Sequence, residues 1–341
     1  MRYRDAGVDL AQSDLLKHGI VTAVRSTWSR AVRPIPNGFA GVMEFPAAGS
    51  GAPLLLAATM DGVGTKLHVA LAAGRVADAA ADLVYHGAND LLVHGARPLA
   101  FLDYIAQSRL DREVVTAVVA GLARACREVG AVLLGGETAE MPDTYLPGVV
   151  DVAGCMIGSA DPGHLITGEA VRPADVLLGL GASGLHTNGF SLARHVVAQS
   201  GLELSDLVPG SRVTLAEALL APHRWYGPAL WPSVAAGEVR ALAHVTGGGI
   251  AGNLERVLPR GVRALVFANA WERPELFRWL IEAGGIPEDD ARASLNLGIG
   301  MLVVCAAERA AGLKRALADA GETVHEIGVI ARGERGVEWV M

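Results

Sequence analysis

Apolar runs of strand length alternate with apolar residues at helical spacing along this chain, and this alternation limits the folds open to it. In the first part, strands are expected at 54–59, 99–106, 131–134 and 149–159, and helices at 77–95 and 112–129. Gly95 and Pro98 end the first helix pattern, as helix-stopping residues do. The order predicts an α/β fold with α+β character.

Turn-forming residues interrupt the alternation between 160 and 173, where Asp161-Pro162-Gly163 and Pro173 are the clearest breakers. Beyond them, strands are expected at 176–180, 262–268, 299–305 and 324–331, and helices at 188–199, 250–258, 274–283 and 307–320. A chain of 341 residues has room for two domains. We predict them at 1–165 and 166–341.

Composition narrows the class of protein. The hydrophobic fraction of 51% supplies buried cores, yet no apolar stretch approaches the ~20 residues of a membrane helix. A net charge of −7 without a basic run does not suggest a nucleic-acid surface. Cys126, Cys155 and Cys305 form no CxxC pair, which fits a reducing compartment. Because the charged start Met1–Asp5 lacks a signal-peptide pattern, we expect a cytoplasmic protein.

The segment 135–142, which reads GGETAEMP, combines two glycines with two carboxylates directly after an apolar run. A purely structural turn needs the glycines but gains little from the acids. Mg²⁺ takes hard oxygen ligands and shares them with phosphate groups. We therefore interpret this segment as a glycine-rich turn that holds a cation and a nucleotide.

A second segment, 61–66, reads DGVGTK and also follows an apolar run. It lacks the spacing of a Walker A motif. Gly62 and Gly64 would let backbone N–H groups approach an oxyanion, Asp61 would ligate Mg²⁺, and Lys66 would neutralise phosphate charge. A tight turn with a solvated acid and lysine is the alternative.

Asn89-Asp90 lies within an otherwise apolar helix pattern. A carboxylate in such a setting is costly unless it is paired or binds a metal. With Asp61 and Glu137 it makes three carboxylates that could share one cation, and Asp103 is a weaker fourth. An exposed polar patch on the helix is the alternative.

The residues 179–184 match GxGxxG after a strand, the pattern of a dinucleotide-binding oxidoreductase. However, Asn188-Gly189 would break the helix that this pattern requires. We favour a polar loop in which Ser183, His186 and Asn188 face a ligand.

Three glycines in the stretch 246–249 precede a helix pattern. Free N–H groups at a helix N-terminus, together with the helix dipole, make an anion site. A ligand phosphate would fit there, and a flexible linker is the alternative.

In this order the motifs resemble those of the phosphoribosylformylglycinamidine cyclo-ligase family. The matching segments are 3–9, 61–66, 89–90, 101–104, 135–142, 151–154, 183–189, 244–249 and 296–301. The resemblance implies an ATP-dependent ring closure in purine biosynthesis, which yields aminoimidazole ribonucleotide and ADP. It also implies a two-domain fold, in which the N-terminal sheets of a homodimer form a β-barrel and the C-terminal domain is α/β.

The resemblance further implies roles for individual residues. Asp61, Asp90 and Glu137 would hold Mg²⁺. ATP would contact Asp61, Gly62, Gly64, Thr65, Lys66, Asp90, Gly135, Gly136 and Glu137. The substrate would contact Glu140, Ser183, Gly184, His186, Asn188, Gly189, Thr246, Gly247, Gly248 and Gly249. The catalytic set would be His186, His244 and Lys66; either histidine could transfer the proton, since histidine titrates near working pH.

The sequence departs from the family pattern at three places: 37–41, which is less glycine-rich, 85–88, and the leucines Leu295 and Leu297. Two alternatives stay open: another ATP-using enzyme of the same superfamily, such as a thiamine-phosphate kinase, and a silent nucleotide-binding homologue.

Overall fold

A computed structural model describes residues 20–45 and 54–341 of the chain, so the matching segment 3–9 lies outside it. Two six-stranded sheets organise these residues, and the chain passes from the first to the second between Ala160 and Val176. Helices pack against both sheets. The predicted fold class is confirmed. Within the described ranges, no helix has the length and apolar character needed to cross a membrane.

The first sheet has the strand order β1-β2-β3-β6-β4-β5. Its strands are β1 Val32–Arg33, β2 Gly41–Phe45, β3 Leu54–Gly62, β4 Arg97–Gln107, β5 Val132–Glu140 and β6 Val150–Ala160. Its helices are α1 Lys66–Ala72, α2 Val76–Leu92 and α3 Arg112–Val129. Strands β3 and β4 both pair antiparallel with β6, and β5 is parallel to β4. The carboxyl ends of β3, β4 and β5 therefore share one edge.

The two faces of the first sheet differ. Side chains of β6 alternate between buried and half-buried, as in a sheet covered on one side. Helix α2 packs over the inner face, where Gly87 closely approaches Met156. The outer face keeps large apolar side chains exposed, among them Met43, Met60 and Val132.

The second sheet has the order β12-β9-β11-β7-β10-β8. Its strands are β7 Val176–Gly181, β8 Val239–His244, β9 Val262–Phe267, β10 Ile299–Cys305, β11 Val324–Arg332 and β12 Gly336–Val340. Its helices are α4 Phe190–Ser200, α5 Leu215–Leu219, α6 Gly227–Ala235, α7 Gly249–Arg256, α8 Glu275–Ala283, α9 Glu288–Ser294 and α10 Ala307–Asp319. Because β7 and β8 both pair antiparallel with β10, their carboxyl ends and the start of β10 share an edge.

One local prediction is wrong. The segment after 134 is not a turn, because β5 continues to Glu140 and stays paired with β4 as far as Gln107. The glycines serve close packing instead: a side chain at Gly136 would meet Asp103 at 2.5 Å. Continued pairing gives the backbone groups of this stretch partners that a turn would not supply.

Candidate active site between the two sheets

Helix α2 carries a polar stripe on an otherwise apolar surface. Asp82, His86 and Asp90 are four residues apart, so they lie on one side of the helix. They are 1%, 4% and 7% exposed. Buried polar groups of this kind need partners, and these partners come from both halves of the chain.

Asp61, at the end of β3, meets this stripe. His86 Nε2 lies 2.8 Å from Asp61 Oδ2 and 3.6 Å from Asp90 Oδ2, while His86 Nδ1 is 2.7 Å from Thr187 Oγ1. Burial alone would lower the pKa of His86, but the two carboxylates outweigh it and raise the pKa to about 9. Partial burial would raise the pKa of Asp61, yet its bond with His86 holds that pKa below the ordinary value.

His244, the last residue of β8, continues the network from the second sheet. Its Nδ1 lies 2.8 Å from Asp90 Oδ1, and its Nε2 lies 2.9 Å from Nε2 of His223. Burial lowers the pKa of His244 and that of His223. We call Asp61, His86, Asp90, His223 and His244 the histidine–carboxylate cluster.

His186 lies against this cluster in the loop after β7. Its ring stacks on His223 at 4.1 Å between centroids. Its backbone is left-handed, with φ 61°, a region where histidine is less disfavoured than most residues. Among residues 20–45 and 54–341, the buried Nδ1 atoms of His186 and His223 find no hydrogen-bond partner, and burial holds the pKa of His186 well below its usual value.

Lys66 begins α1 and is fully buried. Its ammonium forms an ion pair with Asp82 and donates to the His186 backbone oxygen at 2.7 Å. Asp82 also accepts from the His223 backbone N–H at 2.7 Å. The lysine thus fastens the two sheets together. Its predicted contact with phosphate stays a prediction.

Asn89 positions the chain around His223. Its Nδ2 donates to the Arg224 backbone oxygen at 2.8 Å, and its Oδ1 accepts from the Tyr226 N–H at 3.2 Å. Ser183 donates its hydroxyl to the Pro222 oxygen. The segment 222–226 is therefore held from both sides of the site.

The stretch 246–249 forms the N-terminal end of α7, as predicted. Gly248 and Gly249 have φ values of 97° and 63°, and a side chain at Gly249 would lie 1.8 Å from the Arg292 backbone oxygen. Only glycine fits there. Asn253 Nδ2 donates to the Gly249 oxygen at 2.8 Å and also reaches the carbonyls of Thr246 and Gly247. These bonds turn the loop carbonyls toward α7.

The loop 183–189 lies beside this stretch. A side chain at Gly247 would lie 3.4 Å from Asn188 Oδ1. Asn296 fixes the loop by donating to the Gly184 oxygen at 2.8 Å, and Gly189 caps α4 with φ 81°. The structure thus brings the predicted substrate residues of the second sheet together. The structure does not support a dinucleotide-binding site at 179–184, in line with our expectation. The helix that should begin directly after this pattern, α4, begins only at Phe190.

The departure at 37–41 also borders the site. Phe39 donates its N–H to His94 Nε2 at 2.9 Å, and Arg256 of α7 donates to the Asn37 and Gly38 oxygens at 2.8 and 2.9 Å. The Arg256 guanidinium lies 3.5 Å above the Phe39 ring. This segment is therefore held between the turn that follows α2 and helix α7.

Gly62 ends β3, Gly64 and Thr65 lie in the turn into α1, and the Thr65 hydroxyl lies 3.1 Å from that of Ser191. Glu137 does not join Asp61 and Asp90. The register Gly62–Ala153–Tyr104–Glu137 puts it on the outer face, three strands away, which is roughly 14 Å.

The remaining residues of this segment lie on the edge strand β5. Glu140 is on the inner face and accepts from the Leu110 N–H at 2.9 Å, so it closes the loop before α3. Gly135 and Gly136 lie beside Leu102 and Asp103 of β4. The structure does not bring these residues to the histidine–carboxylate cluster.

Three central residues were missed at the sequence level: Asp82, His86 and His223. Two of them had a signal, because Asp82 and His86 continue the four-residue spacing of Asp90 within a buried helix. His223 follows a proline in a segment without periodicity, and only the fold brings it against His244.

Comparison with known families defines the class. Residues 40–160 match the model "AIR synthase related protein, N-terminal domain", and residues 172–340 match "AIR synthase related protein, C-terminal domain". This chain is an AIR synthase related protein.

A named relative makes the assignment specific. The phosphoribosylformylglycinamidine cyclo-ligase, chloroplastic/mitochondrial, of Vigna unguiculata is 43% identical over 98% of this chain and 82% of its own length. The chain belongs to the phosphoribosylformylglycinamidine cyclo-ligase family, which confirms the resemblance drawn from the motifs.

Solved structures share the fold at lower identity. The thiamine-monophosphate kinase of Stenotrophomonas maltophilia K279a has a TM-score of 0.64 at 20% identity, over 93% of both chains. T. maritima PurL complexed with ADP has a TM-score of 0.57 at 18% identity, over 89% of this chain and 44% of that one. At these identities the likeness concerns the fold alone.

Proposed function

We propose that this chain catalyses the ATP-dependent ring closure of formylglycinamidine ribonucleotide to 5-aminoimidazole ribonucleotide, in purine biosynthesis. The observation that carries the proposal is the 43% identity to a cyclo-ligase over 98% of the chain. The formyl amide oxygen takes the γ-phosphoryl group of ATP. An amidine nitrogen then attacks the carbon that carries this oxygen. The carbon–oxygen bond then breaks, and phosphate and ADP leave.

Asp61 and Asp90 are the carboxylates proposed for a divalent cation, because an oxygen of each faces His86 Nε2, at 2.8 and 3.6 Å, and carboxylate oxygens are the hard ligands that Mg²⁺ prefers. Bound Mg²⁺ would offset the charge of the ATP phosphates. Asp61 and Asp90 also orient His86 and His244 by accepting from them. Glu137 of the same chain lies too far from these two carboxylates to share their ion, so the proposed cation site does not include it.

The glycine loop is the proposed site of the substrate's ribose phosphate. Backbone N–H groups at the start of α7 carry the positive end of the helix dipole, and Gly248, as the N-cap residue, has no side chain of its own to cap them. The adjoining loop 183–189 would line the rest of the substrate. In this assignment the C-terminal domain, residues 166–341, binds the substrate, and the N-terminal domain, residues 1–165, binds ATP.

His244 is the residue that we propose for proton transfer. Asp90 accepts from its Nδ1, which fixes the tautomer and leaves Nε2 to exchange a proton through His223, whose Nε2 lies 2.9 Å away. Its low pKa keeps the ring neutral near pH 7, the form that can accept a proton. His186 then helps to exclude water, which would otherwise hydrolyse a phosphorylated intermediate.

We also propose that two copies pair through the outer face of the first sheet, where Met60 and Val132 are 69% and 60% exposed. Exposed apolar patches of this kind mark interfaces. A monomeric sedimentation coefficient at micromolar concentration would contradict the pairing.

A cytoplasmic location remains part of the proposal.

The decisive experiment supplies purified protein with Mg-ATP and formylglycinamidine ribonucleotide, and follows aminoimidazole ribonucleotide and ADP together. Equal amounts of the two products are expected. ADP formed without substrate, or no ADP at all, would contradict the proposal and favour a sibling kinase or a silent nucleotide-binding protein.

A further inference from the structure

Arg256, the last residue of α7, contacts both halves of the chain. Its Nε and Nη2 atoms donate to the backbone oxygens of Asn37 and Gly38, at 2.8 and 2.9 Å, and its guanidinium carbon lies 3.5 Å from the centre of the Phe39 ring. Its Nη1 donates to Asn253 Oδ1 at 3.2 Å. In the part of the chain that the structure describes, no carboxylate lies within ion-pair distance of this side chain. The planar fork of donors, rather than an ion pair, therefore accounts for an arginine at this position.

The contact with Phe39 leads to the histidine–carboxylate cluster. The Phe39 backbone oxygen accepts from the Thr59 hydroxyl at 3.1 Å, and the same hydroxyl lies 3.4 Å from Asp90 Oδ2. A hydroxyl has one hydrogen, so it donates fully to only one of these acceptors at a time. The Phe39 N–H donates to His94 Nε2 at 2.9 Å, which ties the same residue to the turn after α2. The position of Phe39 therefore decides how far the Thr59 hydroxyl is shared with Asp90.

The contact with Asn253 leads to the glycine loop. This amide is fully buried, and its Nδ2 donates to the backbone oxygens of Thr246, Gly247 and Gly249, at 3.3, 3.3 and 2.8 Å. Its Oδ1 accepts from Arg256 Nη1 and from the Thr246 hydroxyl, both at 3.2 Å. Donors at the oxygen end fix the orientation of an amide group. Arg256 thereby helps to set the direction in which Nδ2 holds the loop carbonyls.

We infer that Arg256 is a positioning residue that links the two parts of the site: through Asn253 it orients the glycine loop, and through Phe39 it places the Thr59 hydroxyl beside Asp90. The effect on catalysis rests on the proposed function. The hold on residues 37–39 is measurable in the chain without ATP or substrate, so a failure of the inference and a failure of the proposed function can be recognised separately.

Amide hydrogen exchange of the ligand-free full chain, followed by mass spectrometry, tests the hold on this segment. Arg256→Met keeps a long apolar stem but removes every donor. We expect exchange at 38–40 to become faster by about tenfold or more, since hydrogen bonds from a charged group are lost. Arg335→Met is the matched control, because Nε and Nη2 of Arg335 both donate to the Glu255 oxygen of α7. It should leave exchange at 38–40 unchanged.

Steady-state kinetics tests the link between the two parts of the site. Arg256→Met should lower kcat by about tenfold and also raise KM for the ribonucleotide, because both contacts are lost, whereas Thr59→Val should lower kcat alone by about tenfold. Members of one network are not additive, so the double variant should lose about tenfold in kcat and not about 100-fold. Arg335→Met should keep both constants.

Arg256→Lys is the second variant, and circular dichroism tests whether each variant folds. An ammonium keeps the charge but cannot donate along a planar fork to Asn37, Gly38 and Asn253 together. We therefore expect the same changes in exchange and in kcat, in smaller measure. If Arg256→Met does not fold, the lysine variant takes its place in both experiments.

Three outcomes would overturn the inference. The first is unchanged exchange at 38–40 in a folded Arg256→Met or Arg256→Lys chain. The second is a kcat loss of about 100-fold in the double variant, the product of two independent effects. The third is an Arg256→Lys chain equal to the wild type in both measurements. A wild type without turnover would contradict the proposed function, and the exchange experiment would then decide this inference by itself.

Discussion

The histidine–carboxylate cluster and the glycine loop at 246–249 belong to one site but are built differently. In the cluster, buried side chains bond one another, as Asp90 and His244 do at 2.8 Å. In the loop, the backbone faces the site, and a side chain at Gly249 would collide with Arg292.

This difference separates two kinds of sensitivity. Chemistry in the cluster depends on charge and proton position, so isosteric changes of charge should act there chiefly on kcat. Binding at the loop depends on backbone direction, so added bulk should act there chiefly on KM. Each prediction below tests one side of this comparison.

The largest effect is expected from Asp90→Asn. The change keeps the shape of the side chain but removes the charge that orients His244 and His86. We expect kcat to fall by about 10³–10⁴-fold, the scale seen when a carboxylate behind a catalytic histidine becomes an amide. Steady-state kinetics with aminoimidazole ribonucleotide as the product gives kcat and KM separately.

Asp289→Asn, at an exposed acid on α9, is the matched control and should leave both constants unchanged. A folded Asp90→Asn enzyme with wild-type kcat, or one altered only in KM, would contradict the claim that charge changes in the cluster act chiefly on kcat.

His86 should make stability depend on pH. Its pKa of about 9 lies above the ordinary 6.5, so its interactions stabilise the fold fully below pH 6.5. This contribution is lost as the pH rises from 6.5 through 9, and it is on the order of 3 kcal/mol at most. Urea unfolding in the presence of a chelator, at pH 6.5 and 9.5, compares the wild type with His86→Gln.

The advantage of the wild type over His86→Gln should shrink at the higher pH. An advantage that is constant with pH would mean that His86 acts by packing, and that the cluster is less dependent on charge than we argue. The neutral histidines have the opposite pH dependence. Because the pKa of His223 and that of His186 lie below the ordinary value, both residues make the fold less stable as the pH falls below 6.5.

The smallest effect is expected at the loop. Gly249→Ala forces a side chain against the Arg292 oxygen in a left-handed backbone, so the loop must shift. We expect KM for the ribonucleotide to rise by about tenfold, equivalent to about 1.4 kcal/mol, with a smaller change in kcat. Initial rates at varied substrate concentration measure both.

Gly252→Ala is the matched control in the same helix, because a side chain there meets open space. It should leave KM unchanged and stabilise α7 by up to about 1 kcal/mol. Equal effects of the two alanines, or a Gly249→Ala effect confined to kcat, would contradict the role given to the loop.

Much of the fold followed from local patterns. Helix 112–129 and strand 299–305 were predicted with the bounds observed, because their apolar spacing and their terminating residues agree. Strand β8 was missed, since its apolar residues resemble a loop entrance unless β10 pairs with them. The turn predicted after 134 was wrong for the same reason. Pairing with β4, which the local sequence does not show, decides the conformation of this glycine-rich stretch.

The site was predicted in part for similar reasons. Asp61, Asp90, His186 and His244 stand in recognisable motifs, and the structure brings them together. Glu137 was grouped with them by residue type, but whether it lies inside or outside the sheet depends on register, which the sequence does not reveal. His223 could not be predicted, because it joins the site through a contact with His244, which lies 21 residues further along the chain.

The bond network around Lys66 limits how this chain can evolve. Its ammonium comes from the first sheet, but one of its partners is a carbonyl of the second, and its counter-ion Asp82 also binds the backbone at 223. Lys66 and Asp82 both belong to the first half, so a change in the second half keeps the ion pair but can displace the backbone groups of His186 and His223 that complete it. Each buried polar group that loses its partner costs about 1–3 kcal/mol, so insertions near 186 or 223 are expected to be tolerated less than insertions in the exposed loops of the second half.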